Sequence, residues 1–187
     1  MILLRDISLV VFFVWIVLDG VVVFRRVSGK AENRDRFSLR VIAAGHLLTW
    51  IVAIWLAFAR PGTLHPTVPL QSAGLVLMLL GILIRSIAIA QLGRFHTPNV
   101  AVLADHVVMD RGLYRHVRHP SYLGALIAFY GFGLALGNWL GLLVIVLLMP
   151  IVYLFRIQEE EAALHAALGE RYGDYCRRTR RLIPGVY

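Results

Sequence analysis

The sequence predicts an all-α, polytopic membrane protein. About five transmembrane helices are expected, the last two joined as a tight hairpin, followed by a cytosolic amphipathic C-terminal helix. Three observations carry this. The 187 residues are 59% hydrophobic, with a mean hydropathy of +0.73, above the roughly half-apolar composition of soluble domains. The apolar residues gather in five runs, near 7–24, 41–59, 69–92, 121–136 and 139–155. At ~1.5 Å per helical residue these suit a hydrocarbon core of about 30 Å, the last two being on the short side. Finally, the chain has 19 Lys+Arg against 11 Asp+Glu, and nearly all the cations lie outside the apolar runs. The length leaves room for a single membrane domain, 1–187.

The first run is followed by Arg25, Arg26 and Lys30 rather than by a small-residue cleavage site, so it is read as a retained span. The linker 25–40 holds six Lys/Arg, 94–119 holds four, and the tail from 156 onward holds six. The opposite side has only Arg5 and Arg60. The positive-inside rule then places the N-terminus outside and the C-terminus in the cytosol, which an odd number of spans allows. A pI near 10.4 is accounted for by juxtamembrane cations facing anionic lipid, and no nucleic-acid partner is expected. The lone Cys176 excludes an intrachain disulfide. The chain lacks a CaaX ending, so it is not expected to be prenylated at its own C-terminus.

The third run contains Arg85, nine residues before Arg94. An intramembrane cation at that depth costs several kcal/mol unless paired. It is either part of a buried ion pair or carbonyl cap, or a cation lining a polar cavity open to the cytosol. The fourth run begins at Pro120, and Gly137–Asn138 separate it from the fifth. GFGLALG (131–137) sits inside an apolar span with no strand before it, so it reads as helix packing through small residues rather than as a nucleotide loop. Beyond the fifth run, IQEEEAALHAALGERYGDYCRRTRRLIP reads as one amphipathic helix, with Leu164, Leu168, Tyr172 and Tyr175 in a stripe and Glu161 in its middle. A carboxylate on a buried face needs a partner: a loop arginine, or a ligand's amine, hydroxyl or sulfonium.

The segment YRHVRHPSYLG (114–124) crowds Arg115, His116, Arg118 and His119 against Pro120. Basic residues and Tyr122 at the headgroup level suit an interfacial anchor. His119–Pro120 and Gly124 add constraints that favour a shaped pocket at a helix N-terminus, where free N–H groups receive a carboxylate or phosphate.

Three blocks, LGRFHTPNV (92–100), HVVMDRGLYRHVRHPSYLG (106–124) and EEAALHAALGERYGDY (160–175), together resemble the isoprenylcysteine carboxyl methyltransferase family, over residues 85 to the end. Leu168 stands where that family usually has Phe, Met109 replaces a Val, and His96 sits where an aromatic residue is common. The resemblance makes 69–187 the catalytic, cofactor-binding part and leaves 1–68, with its two spans, without a matched motif. It implies S-adenosylmethionine as cofactor and S-adenosylhomocysteine as product. The cofactor contacts it implies are His106, Met109, Gly112, Tyr114, His119, Pro120, Tyr122 and Glu160. Arg118, Glu161 and Arg85 are then expected to border the meeting place of cofactor and substrate, with Arg118 or Arg85 orienting the acceptor. No metal is expected. The implied reaction is carboxyl O-methylation of a prenylcysteine-like or other lipophilic acid, in a cytosolic-facing site reached from membrane lipid. A phospholipid N-methyltransferase is the alternative; it would need a base such as His96 or His116. An NADPH-dependent sterol-type reductase also resembles the basic region, although such enzymes are generally larger. A non-enzymatic scaffold or lipid binder leaves the buried Glu161 unexplained.

Overall fold

A computed structural model describes residues 4–25, 36–59, 61–62, 68–96 and 107–183. Among them are six α-helices: α1 (Leu4–Arg25), α2 (Arg36–Ala59), α3 (Val68–Leu92), α4 (Pro120–Ala135), α5 (Trp139–Leu168) and α6 (Glu170–Arg178). The described residues form no named strand, only a parallel bridge between Val117 and Arg180. Three helical segments, Arg40–Ala59, Val68–Phe95 and Trp139–Leu168, are long and apolar enough to cross a membrane; Pro120–Ala135 is apolar but shorter. Large apolar side chains such as Val17, Trp55, Leu83 and Ile151 project outward from α1, α2, α3 and α5, as expected where lipid replaces water as the solvent.

The tightest contact in the fold is that between α3 and α4. Gly74 and Gly81 of α3, and Gly124 and Gly131 of α4, each face the backbone of the other helix so closely that a Cβ would collide with main-chain atoms. Small residues let helix backbones approach in lipid, where van der Waals packing must replace the hydrophobic effect as the force between helices. Gly131 therefore packs helices, as the GFGLALG run predicts, and Gly133 does so against Leu142 and Ile145. Gly137 does not: its φ of 67° makes it the turn that ends α4. Asn138 follows as the N-cap of α5, accepting from Gly141 N at 2.8 Å and donating to Leu56 O and Pro61 O at 3.0 and 2.7 Å. One buried amide thus closes the hairpin and fastens it to the end of α2. An aromatic cluster joins α1 and α2 to α4, with Phe12 stacked on Phe132 at 3.8 Å between centroids and edge-on to Trp50.

The C-terminal tail differs from the expected single amphipathic helix. α5 runs unbroken for 30 residues, ~45 Å at 1.5 Å per residue, so its last turns extend well past a core of about 30 Å. The three glutamates 159–161 therefore lie on an extension of the fifth span. Gly169, with φ 55° and ψ −132°, breaks the chain there, and α6 folds back separately with Tyr172 and Tyr175 buried.

Gly124→Leu should drive a branched side chain into the α3 backbone and cost about 3 kcal/mol or more. The thermal midpoint of detergent-solubilised protein should fall by several degrees. Gly20→Ala, where no atom lies within 4 Å of the new Cβ, should leave it unchanged.

Candidate active site

The site is assembled where α4 begins. Pro120 occupies the first turn of α4, where its missing N–H has no intrahelical partner to lose. His119, at the N-cap, is held outside the α region (φ −124°, ψ 57°) by the proline that follows it. Residues 116–119 lie beside 180–181. Arg118 N donates to Arg180 O at 2.7 Å, His119 N to Arg181 O at 3.0 Å, and Arg180 N to His116 O at 3.3 Å. Upstream, Gly112 takes a φ of 59°, and a Cβ there would strike the side chain of Gln91. Gln91 Oε1 in turn accepts from Leu113 N at 3.0 Å, so the glycine lets the loop close down on the end of α3.

Glu161 holds these pieces together. It is 6% exposed. Its Oε1 accepts from Arg118 Nε at 2.8 Å and lies 3.3 Å from His119 Nε2, while Oε2 accepts from Arg181 Nε at 2.9 Å. Arg118 goes further, donating from Nη1 to Cys176 O and Thr179 O at 3.1 and 2.7 Å. The expected partner of Glu161 is therefore a pair of arginines and a histidine. The angular reasoning that singled it out treated α5 and α6 as one helix; burial of Glu161 survives because α5 alone presents it inward.

Two hollows adjoin this knot. The smaller, about 60 Å³, is lined by Met109, Tyr114, Arg118, His119, Glu160 and Tyr172 together with apolar residues of α3 and α5. The Tyr172 hydroxyl is buried there with no hydrogen-bond partner, and the Glu160 side chain is 30% exposed. Burial raises the phenols of Tyr114, Tyr172 and Tyr175 above their ordinary range, so all three are neutral at physiological pH. The larger cavity, about 480 Å³, opens among α1, α2, α4 and α5 and is mostly apolar, with Trp15, Trp50 and Phe129 on its walls. Asp19, Arg85, His46, Tyr153 and Arg156 give it a polar end. Tyr122 stands between the two: it lines the large cavity, stacks on His119 at 5.6 Å, and donates its hydroxyl to Glu160 Oε2 at 2.8 Å.

Of the residues singled out from the sequence, Arg118, His119 and Glu161 are in direct contact, and Met109, Tyr114 and Glu160 share the hollow beside them. Tyr122 faces the other cavity, as does Arg85, which makes a bidentate pair with Asp19 at 2.7 and 2.8 Å. The ion-pair reading of Arg85 therefore holds, and the cavity that Arg85 also lines is mostly apolar rather than the expected polar one. Pro120 is buried behind the hollow, and Gly112 acts through the backbone of the loop rather than on the hollow's lining. His106 lies outside the described residues. Of the two histidines either of which could serve an amine acceptor as base, His96 lines the large cavity and His116 is exposed. The sequence reading missed Asp19, His46 and Arg156. Asp19 carried the same signal as Arg85, a charge within an apolar run. Arg156 is buried at 3% exposure, one helical turn before Glu160.

Residues 74–166 match the family model of the isoprenylcysteine carboxyl methyltransferase (ICMT) family. A Schizosaccharomyces pombe protein-S-isoprenylcysteine O-methyltransferase is 34% identical over 116 residues, which cover 61% of this chain and 49% of the relative. The Rattus norvegicus protein of the same name is 28% identical over 164 residues, covering 83% and 58%. The chain thus spans roughly half the length of these relatives. The solved structure of the eukaryotic intramembrane Ras methyltransferase ICMT matches 77% of this chain and 52% of its own, with a TM-score of 0.65 and 27% identity.

Removing Glu161 leaves Arg118 and Arg181 facing one another with no anion between them. Breaking such a buried pair costs about 3–5 kcal/mol. Glu161→Ala should lower the thermal midpoint and admit protease beyond Gly169, whereas Glu159→Ala, at an exposed neighbouring position, should do neither.

Proposed function

Through residues 74–166 the chain belongs to the isoprenylcysteine carboxyl methyltransferase family, and from that premise we propose that it is a five-span membrane enzyme transferring a methyl group from S-adenosylmethionine to the carboxylate of a prenylcysteine-like lipophilic acid. The observation that carries this reading is the pair of hollows linked by Tyr122, which lines the larger and bonds to Glu160 in the smaller. One is small, aromatic and carboxylate-bearing; the other is large, apolar and tipped with arginine.

The residues of the small hollow fit a sulfonium nucleoside in kind. Apolar walls from α3 and α5 suit an adenine ring. The partnerless Tyr172 hydroxyl and the partly exposed Glu160 suit hydroxyl or ammonium groups. At about 60 Å³ the hollow is well below the ~300–1,000 Å³ of ligand pockets, so its walls must part on binding. The coil 107–110, without helical hydrogen bonds, is the wall best able to do so.

When bound, the cofactor supplies an electrophilic methyl carbon on a positively charged sulfur. The protein then has three tasks. Glu160 and His119 fix the donor on one side of Tyr122. The cationic end of the large cavity holds the acceptor carboxylate on the other, where lipid-facing walls accept its tail. The apolar surroundings strip water from the carboxylate, which is already ionised at neutral pH and needs no base. Arg118, with three of its donors committed to Glu161 and the tail carbonyls, acts by building the donor side; Arg85, in the large cavity, is the arginine placed to meet the acceptor. The site faces the cytosol in this reading, with the N-terminus outside.

S-adenosylhomocysteine at a hundredfold its dissociation constant should stabilise the solubilised protein by about 2.7 kcal/mol. Membranes containing the protein should transfer labelled methyl groups to a prenylcysteine analogue. Label in phosphatidylethanolamine instead, or stabilisation by NADPH and not by S-adenosylhomocysteine, would contradict the assignment.

A further inference from the structure

Asp19 belongs to α1, outside the family match that begins at residue 74. Its two oxygens take Arg85 Nε and Nη2 at 2.7 and 2.8 Å. From α4, Ser121 O accepts from Arg85 Nη1 at 3.3 Å. A guanidinium has five N–H donors in a rigid fork, and these three bonds occupy the Nε/Nη2 edge and one hydrogen of Nη1. One hydrogen on each terminal nitrogen is left to donate to a carboxylate.

The pair is not sealed inside packed protein. Asp19 and Arg85 both line the large cavity, with side chains 19% and 10% exposed. Arg156, from α5, lines it as well. Among the described residues, its polar end thus carries two arginines beside one aspartate. Were Asp19 absent, Arg85 would lose its bidentate anchor and its side chain would be free to reorient away from the cavity.

We infer that Asp19 is a positioning residue for the acceptor's anionic head: it occupies the Nε/Nη2 edge of Arg85 and so fixes the angle at which the remaining donors stand at the cavity wall. This deepens the proposed function and rests on it. It gives α1, which carries no family motif, a part in selecting the acceptor.

The test uses the full chain in detergent or nanodiscs. An S-prenylated cysteine carboxylate serves as acceptor, its carboxamide as competing ligand, and S-adenosylhomocysteine as the donor-side probe. Asp19→Ala should raise the acceptor KM about tenfold or more, the loss expected of a charge-assisted hydrogen bond. It should also abolish the preference for carboxylate over carboxamide and leave S-adenosylhomocysteine affinity within about twofold of the parent. Asp19→Glu should restore part of the preference. Should Asp19→Ala fail to fold, the exchange Asp19→Arg with Arg85→Asp keeps an ion pair but moves the donor edge to α1. It should fold, bind S-adenosylhomocysteine and still lack the preference. An acceptor KM that is unchanged, or lower because Asp19 had been competing with the acceptor, overturns the inference. So does an exchanged pair that keeps the preference, or a loss shared equally by acceptor and S-adenosylhomocysteine. A parent protein that prefers carboxylate yet transfers no methyl group counts against the proposed reaction and leaves Asp19 its role; a parent without the preference counts against Asp19.

Discussion

The packing around the start of α4 depends on one buried carboxylate. Glu161 draws Arg118 and His119 from the loop before α4, and Arg181 from the end of the tail, onto the extended end of α5. None of these segments is long enough to fold alone. The loop before α4 has one 3₁₀ turn, α6 has nine residues, and the pairing of 116–119 with 180–181 is a strand fragment without a sheet. Burying a charge costs several kcal/mol unless it is paired and hydrogen-bonded, so Glu161 is tolerated only with its three partners in place. The requirement works in both directions: the carboxylate needs the arginines, and the loop and tail acquire a fixed position by supplying them.

The membrane part sets the other half of the geometry. Glycines let α3 and α4 touch backbone to backbone, and that approach puts Arg85 within reach of Ser121 O. α1 contributes Asp19 to the same point. The result is a charged group at membrane depth that is neutralised from one helix, held from a second and presented to an apolar cavity. Tyr122, in the first turn of α4, joins this cavity to the knot around Glu161 through its bond to Glu160. In the proposed reaction a lipophilic acceptor and a polar donor would approach from different phases, with this phenol between them.

Much of this was legible in the residues. Apolar run length located the helices, because in lipid every backbone group must be paired within its own segment and a helix is the only local way to do so. The second and third blocks hold Arg118, His119, Glu160 and Glu161, which the structure brings together, and a carboxylate on an apolar stripe singled out Glu161. What the sequence concealed was long-range. The break at Gly169 was hidden because the apolar period continues across it, so α5 and α6 read as one helix. The partner of Arg85 lay 66 residues away in α1, and periodicity within one segment says nothing about which span lies beside another.

The central claim is that donor and acceptor bind on opposite sides of Tyr122. It is tested most directly by solving the structure of the full chain with S-adenosylhomocysteine and a prenylated cysteine carboxylate bound together. The account predicts the nucleoside against Glu160, His119 and Tyr172, and the carboxylate against Arg85 in the large cavity, with the thioether sulfur and the carboxylate facing each other past the Tyr122 ring. A nucleoside bound elsewhere, or both ligands on the same side of Tyr122, would contradict it.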